Sequence, residues 1–215
     1  MGFADTYFET MEIARRPTLE IVSRLDVAAI ARPWLVMLYR VIETTESLLQ
    51  FAKDDLWCRA PDHNKHDAGS LLAYFERKLE DERGHAQLFW ADLQFVGVTA
   101  SDLGPVNPFV AEMVGRQFYL IEFCHPAAYL GYIGLLEGFP PTLEQIDELE
   151  KASGLPPAAF RTARLHAAVD VKHREELAAM LDAVPAHLRT HILANGIRCA
   201  QLQRQALEIL SPMET

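Results

Sequence analysis

The chain has 215 residues, roughly 1.4 domains at about 150 residues each, so a single domain over 1–215 is expected. Half of the residues are hydrophobic and 23% are charged, with 11 Gly and 12 Pro, which excludes a disordered, collagenous or low-complexity chain. Thirty acidic against 20 basic residues give a formal charge of −10, which argues against nucleic acid or an anionic membrane as main partner, because both demand a basic face.

Apolar residues recur at three-to-four spacing along almost the whole chain, with no sustained period-two alternation, and this predicts an all-α, single-domain bundle of seven to eight helices. A first helical segment near Ala4–Leu25 is expected to be interrupted at Pro17, and a second follows Pro33. A polar loop over Arg59–Asp67 precedes a long helix from about Gly69 to Phe95. Pro105 and Pro108 open another helix, which Pro126 ends or kinks, and the segment Ala127–Gly138 comes next. Thr142 with Gln145 reads as a capping box and Gly154 as a C-terminal stop around a short acidic helix. Pro156 and Pro157 start a further helix, and Pro185 the last, ending near Leu210. Three widely spaced cysteines, without a CxxC, indicate neither a disulfide framework nor a zinc knuckle. The N-terminus lacks a basic and apolar leader pattern, and the longest stretch free of Asp, Glu, Lys and Arg, Phe123–Leu136, is 14 residues, too short to span a bilayer. A cytoplasmic protein without a membrane partner is expected.

The sharpest chemical feature is His166-Ala-Ala-Val-Asp170-Val-Lys-His173. On a helix, positions four and seven further on lie within about 40° of the first, so two imidazoles and a carboxylate share one narrow stripe. Such a stripe suits a borderline metal such as Fe, Mn or Zn, and equally a polar outer face; small or apolar Ala167, Ala168 and Val171 leave room for neighbouring helices to close over it. Glu82-Arg-Gly-His85 is an ExxH element, a geometry by which one helix gives a carboxylate and an imidazole to one metal centre, although charged helices also carry it by chance. Gly84 inside it costs about 1 kcal/mol in a helix relative to Ala, which points to a packing or close-approach reason. Glu137 closes an apolar run and is either a helix-end group in water or a buried charge in need of a cation.

In this order, ExxH at Glu82 and His85, Glu137 in a GYxxxLEG context and HxxxDxxH at His166, Asp170 and His173, the sequence resembles the haem-oxygenase-like diiron oxidases and oxygenases, iron-containing redox enzymes. The stretch EDERGHAQLFWADLQFVG is similar to those proteins too, and the resemblance runs roughly from Tyr39 to Leu210. It implies a haem-oxygenase-like fold, with Glu82, His85, Glu137, His166, Asp170 and His173 as ligands of two iron ions. Some members of that family add a carboxylate from an earlier core helix; here Glu43 is the first candidate and Glu46 the second. Charge counting favours such an addition, since two Fe(II) ions carry +4 against three carboxylates; loading would also relieve an apo protein whose core carboxylates are unbalanced.

The resemblance further implies O2 as co-substrate at the Fe2+ pair, Mn in place of one or both irons, and oxidation of a small amino-acid- or fatty-acid-derived molecule in a biosynthetic pathway. With the whole chain given to one bundle, electrons are expected from an external donor; homodimerisation is left open. Phe89, Trp90, Phe118, Tyr119, Tyr129 and Tyr132 supply candidates for an apolar pocket, and Arg116, Arg161 and Arg198 for anchoring a substrate carboxylate.

Rival readings have their own residues. Glu122 and His125 form a second ExxH, as in ferritin-like diiron bundles, but His125 precedes Pro126, which disfavours helix there. A haem oxygenase proper would place its proximal histidine in the first helices, whereas the first histidine is His63, in a loop. A thiaminase-like nucleophile could only be Cys124, which reads as a packed core residue, and His187 with His191 read as a solvated first turn. A non-enzymatic helical binding module with structural histidines is the remaining alternative.

Overall fold

The computed structural model describes residues 2–59 and 65–210, and among them finds ten α-helices, three 3-10 turns and no strand. The helices are α1 (Phe3–Val22), α2 (Val27–Ile42), α3 (Thr45–Arg59), α4 (Lys65–Asp81), α5 (His85–Phe95), α6 (Pro108–Phe123), α7 (Leu130–Glu137), α8 (Leu143–Ser153), α9 (Arg161–Ala183) and α10 (Ala186–Leu210). The all-α expectation holds, while the helix number exceeds seven to eight because two expected helices are each divided. His63 and most of the loop assigned to 59–67 lie outside the described residues, and α4 begins at Lys65, four residues before Gly69.

Neither Pro17 nor Pro33 interrupts its helix. Proline removes one backbone bond, and here the surrounding sequence outweighs that loss. Asp26 caps α2 by accepting from the N–H groups of Ala28 and Ala29, and Leu35, Met37 and Val41 bury its inner face. The division falls instead at Glu43 and Thr44, between α2 and α3. Asn107 caps α6 with Pro108 in its first turn, and Thr142 with Gln145 forms the expected capping box of α8, which stops at Gly154 with φ +66°.

The main core gathers around α10, which packs on α1, α6 and α7. Its buried face is Leu188, Ile192, Asn195, Cys199, Leu202 and Ala206 at three-to-four spacing, and each fully buried Leu or Ile stabilises the fold by about 1.5–3 kcal/mol. Gly131 of α7 lies against α10 so closely that a Cβ would run into the carbonyl of Ile192, and Tyr7 seals this crossing by donating to the Gly131 carbonyl at 2.9 Å. A second, smaller core joins α2, α5, α8 and the turn before α9 through Leu35, Phe89, Leu93, Ile146 and Phe160. No described helix is long and apolar enough to cross a membrane.

Candidate metal centre

α4 carries Leu71, Tyr74 and Lys78 on one stripe, which Glu82 continues in the turn just past its end, and all four are buried. The helix stops at Asp81, and Gly84, at φ +84°, turns the chain so that α5 restarts at His85. Glu82 and His85 are therefore not on one continuous helix, as the ExxH spacing suggested. Gly84 is needed for its left-handed backbone rather than for close approach, since a Cβ there would meet nothing nearer than 4.0 Å. The turn is held from α3, where Glu46 accepts the Gly84 N–H at 2.9 Å, and it brings Glu82 Oε2 within 2.8 Å of His85 Nδ1.

α9 is anchored on α5 by a carboxylate from outside its own sequence. Buried Asp92 accepts the backbone N–H of Thr162 at 2.7 Å and the Arg161 side chain at 2.9 Å, satisfying an orphan donor of the α9 N-terminus. One turn later His166 meets His85, with ring centroids 4.8 Å apart. Asp170 follows, its carboxylate 3.9 Å from His166 Nδ1 and 3.1 Å from His173 Nδ1. Glu137, at the C-terminal end of α7, comes within 3.9 Å of the same nitrogen of His173.

All six residues implied as ligands thus converge from four directions. Within them, Glu82, His85 and His166 offer donor atoms within 4.8 Å of one another, and so do Glu82, Glu137 and His173. Glu82 is common to both groups. Neither Glu43 nor Glu46 belongs to these groups: Glu43 pairs with Arg40 at 2.9 Å, and Glu46 accepts the Gly84 N–H in the turn between Glu82 and His85.

Three carboxylates in this cluster face a single ammonium, Lys78, whose Nζ lies 2.9 Å from Glu137 and 3.5 Å from Glu82. Burial alone would raise the Glu82 carboxyl, but the hydrogen bond from His85 and the charge of Lys78 outweigh it and hold it at about 2. Burial pushes Glu137 up to about 7, with Lys78 pulling against it. Lys78 itself is raised, because its two carboxylates outweigh its burial. The bond to Glu82 raises His85, and the bond to Asp170 raises His173. Burial lowers His166, which is therefore neutral near pH 7, and its Nε2 is buried with no hydrogen-bond partner among the described residues. A neutral imidazole with one nitrogen toward a carboxylate and the other unpartnered is arranged as a metal ligand. The residues present therefore fit a divalent metal of the Fe, Mn or Zn class, with nitrogen and oxygen donors.

Sequence reasoning missed Lys78, although its place at three-to-four spacing among Leu71, Tyr74, Phe75 and Glu82 put it on the buried face. It also missed Asp81, whose carboxylate reaches within 3.7 Å of His173 Nε2. Of the aromatic candidates, Tyr129 and Tyr132 are fully buried in the main core, Phe89 belongs to the smaller one, and Phe118 and Tyr119 are exposed. Each arginine candidate already has a protein partner: Arg116 with Asn195, Arg161 with Asp92, Arg198 with Glu112. The second ExxH is not assembled, since Glu122 is exposed and His125 caps the turn at Ala127. His187 and His191 are exposed, as expected. Cys124 is exposed rather than packed, because the chain leaves helical geometry there at the end of α6; Cys199 is the buried thiol.

The model of a family described as "Iron-containing redox enzyme" matches residues 63–204. No curated protein matches the chain. Among solved structures, a domain of unknown function with a heme oxygenase-like fold from Shewanella denitrificans OS217 is similar, with TM-score 0.71 and 17% identity over 96% of this chain and 88% of that one. A TenA homolog from Pseudomonas syringae pv. tomato str. DC3000 gives TM-score 0.73 and 13% identity over 97% of this chain and 92% of that one.

Proposed function

This chain belongs to the iron-containing redox enzyme family and has a haem-oxygenase-like fold, and from that premise we propose that it is a non-haem diiron oxidase or oxygenase acting on a small amino-acid- or fatty-acid-derived substrate. The observation that carries the reading is the pair of donor groups sharing Glu82, each with imidazole and carboxylate, lying together between α4, α5, α7 and α9. Glu82, His85 and His166 would hold one ion, and Glu82, Glu137 and His173 the other, with Asp170 supplying a third carboxylate between the two histidines of α9. Fe(II) held by these residues would supply the electrons for O2 activation, to be restored by an external donor.

The chain's own residues do the rest. Asp170 fixes the ring orientation of His173, and Glu46 with Gly84 fixes the turn that aims Glu82 and His85. Buried Tyr74 and Tyr129 stand near Glu82 and Glu137, with Phe75 packed between the two rings. The test is O2 uptake by anaerobically Fe(II)-loaded protein, with candidate amino and fatty acids added in turn. The proposal expects consumption faster than by free Fe(II), stimulated by the true substrate and absent in His166→Ala. Loaded wild type that consumes O2 no faster than free Fe(II), with every substrate tried, overturns it.

A further inference from the structure

We propose that Lys78 is a built-in counter-ion that makes the two metal positions unequal: the Glu82/His85/His166 position fills first, and the Glu82/Glu137/His173 position fills only when the ammonium yields Glu137. This rests on the metal reading of the site given above. The side chain of Lys78 is 1% exposed, an extreme for a lysine, and the two carboxylates it touches are both members of the second group. Within the first group it touches only Glu82, and there through Oε1, whereas Oε2 faces His85. The ammonium therefore stands on two of three donors at one position and one of three at the other.

A divalent ion taken up by Glu82, Glu137 and His173 must share those carboxylates with a like charge in a poorly screened interior, which weakens binding there. The same contact gives the metal-free protein a counter-charge for carboxylates that would otherwise be buried unpaired. A polar group without a partner also stands on the Lys78 stripe. Tyr74, one turn earlier, has a buried hydroxyl with no hydrogen-bond partner among the described residues, and that oxygen can accept.

The experiment is a titration of metal-free protein with Mn2+, following free Mn2+ by electron paramagnetic resonance. In wild type two steps are expected, with dissociation constants at least about 10-fold apart. Lys78→Met should tighten the second step by at least about 10-fold and leave the first nearly unchanged; Lys78→Gln, closer in polarity, serves if the Met variant does not fold. His173→Ala should remove the weak step alone, and His85→Ala the tight one. A wild type that binds one Mn2+ and a Lys78 variant that binds two also supports the proposal. Two equal steps in wild type, loss of the tight step in His173→Ala, or a second step indifferent to removal of Lys78 overturns it while leaving the metalloenzyme reading intact. Absence of any Mn2+ or Fe2+ binding overturns both.

Discussion

Two clusters of buried polar side chains lie at opposite ends of α7, and they are finished differently. Around Asn195 the hydrogen bonds close: its amide donates to Gln117 Oε1 at 2.8 Å and to the Ala128 carbonyl at 2.9 Å, while Gln117 donates to the Met113 carbonyl at 2.8 Å. Asn195 Oδ1 in turn accepts from Arg116 and Gln117. At the Glu137 end, Glu82 and Glu137 share one ammonium, and His166 Nε2 and the Tyr74 hydroxyl go without partners among the described residues. Buried polar groups left unsatisfied cost about 1–3 kcal/mol each, and at the Glu137 end such groups coincide with a convergence of carboxylates and imidazoles, which supports the proposal that a metal is held there. The closed cluster ties α6, α10 and the turn before α7 together; the open one is the candidate site.

Substitution at either end of α7 should separate the two clusters. The largest effect is expected for His166→Ala, which should weaken metal binding by about 100-fold or more, while the melting temperature of the metal-free protein stays close to that of wild type. Calorimetric unfolding with and without Mn2+ reads both quantities at once, and a collapse of the metal-free protein would mean that this cluster, too, is structural. Asn195→Ala should do the reverse. It strands Gln117 and the Ala128 carbonyl and is expected to cost about 1–3 kcal/mol in urea unfolding, with the metal affinity of the folded fraction unchanged. Smallest is the contrast between the two upstream carboxylates. Glu46→Gln weakens the charge-assisted bond to the Gly84 N–H that aims Glu82, and should lower metal affinity by up to about 10-fold, whereas Glu43→Gln, on a partly exposed pair with Arg40, should leave it within about 2-fold. Equal effects of the two would remove Glu46 from the site.

The stripe of His166, Asp170 and His173 was legible in the sequence because a helix of ordinary period determines it without help from the rest of the fold. What was illegible depends on partners distant in sequence. Gly84 announced a special position, but only its left-handed backbone shows that it divides α4 from α5. Pro17 and Pro33 announced breaks that tertiary packing overrides, since α1 is held to α10 through Tyr7 and Met11. Lys78 carried the right spacing and the wrong residue type for a core face, and its role follows only from two carboxylates, of which Glu137 is 59 positions away. Glu43 and Glu46 could not be ranked by spacing, because the α2–α3 division between them turns one toward Arg40 and the other toward the 82–85 turn.

Whether the open cluster holds two iron ions is read by anaerobic equilibrium dialysis against Fe(II), with wild type, Asn195→Ala and His166→Ala side by side. Wild type and Asn195→Ala should approach two iron ions per chain as free Fe(II) rises, and His166→Ala should lose the tightly held one. A wild type that takes up no iron, or a His166→Ala protein that takes up iron as wild type does, would contradict the two-iron reading.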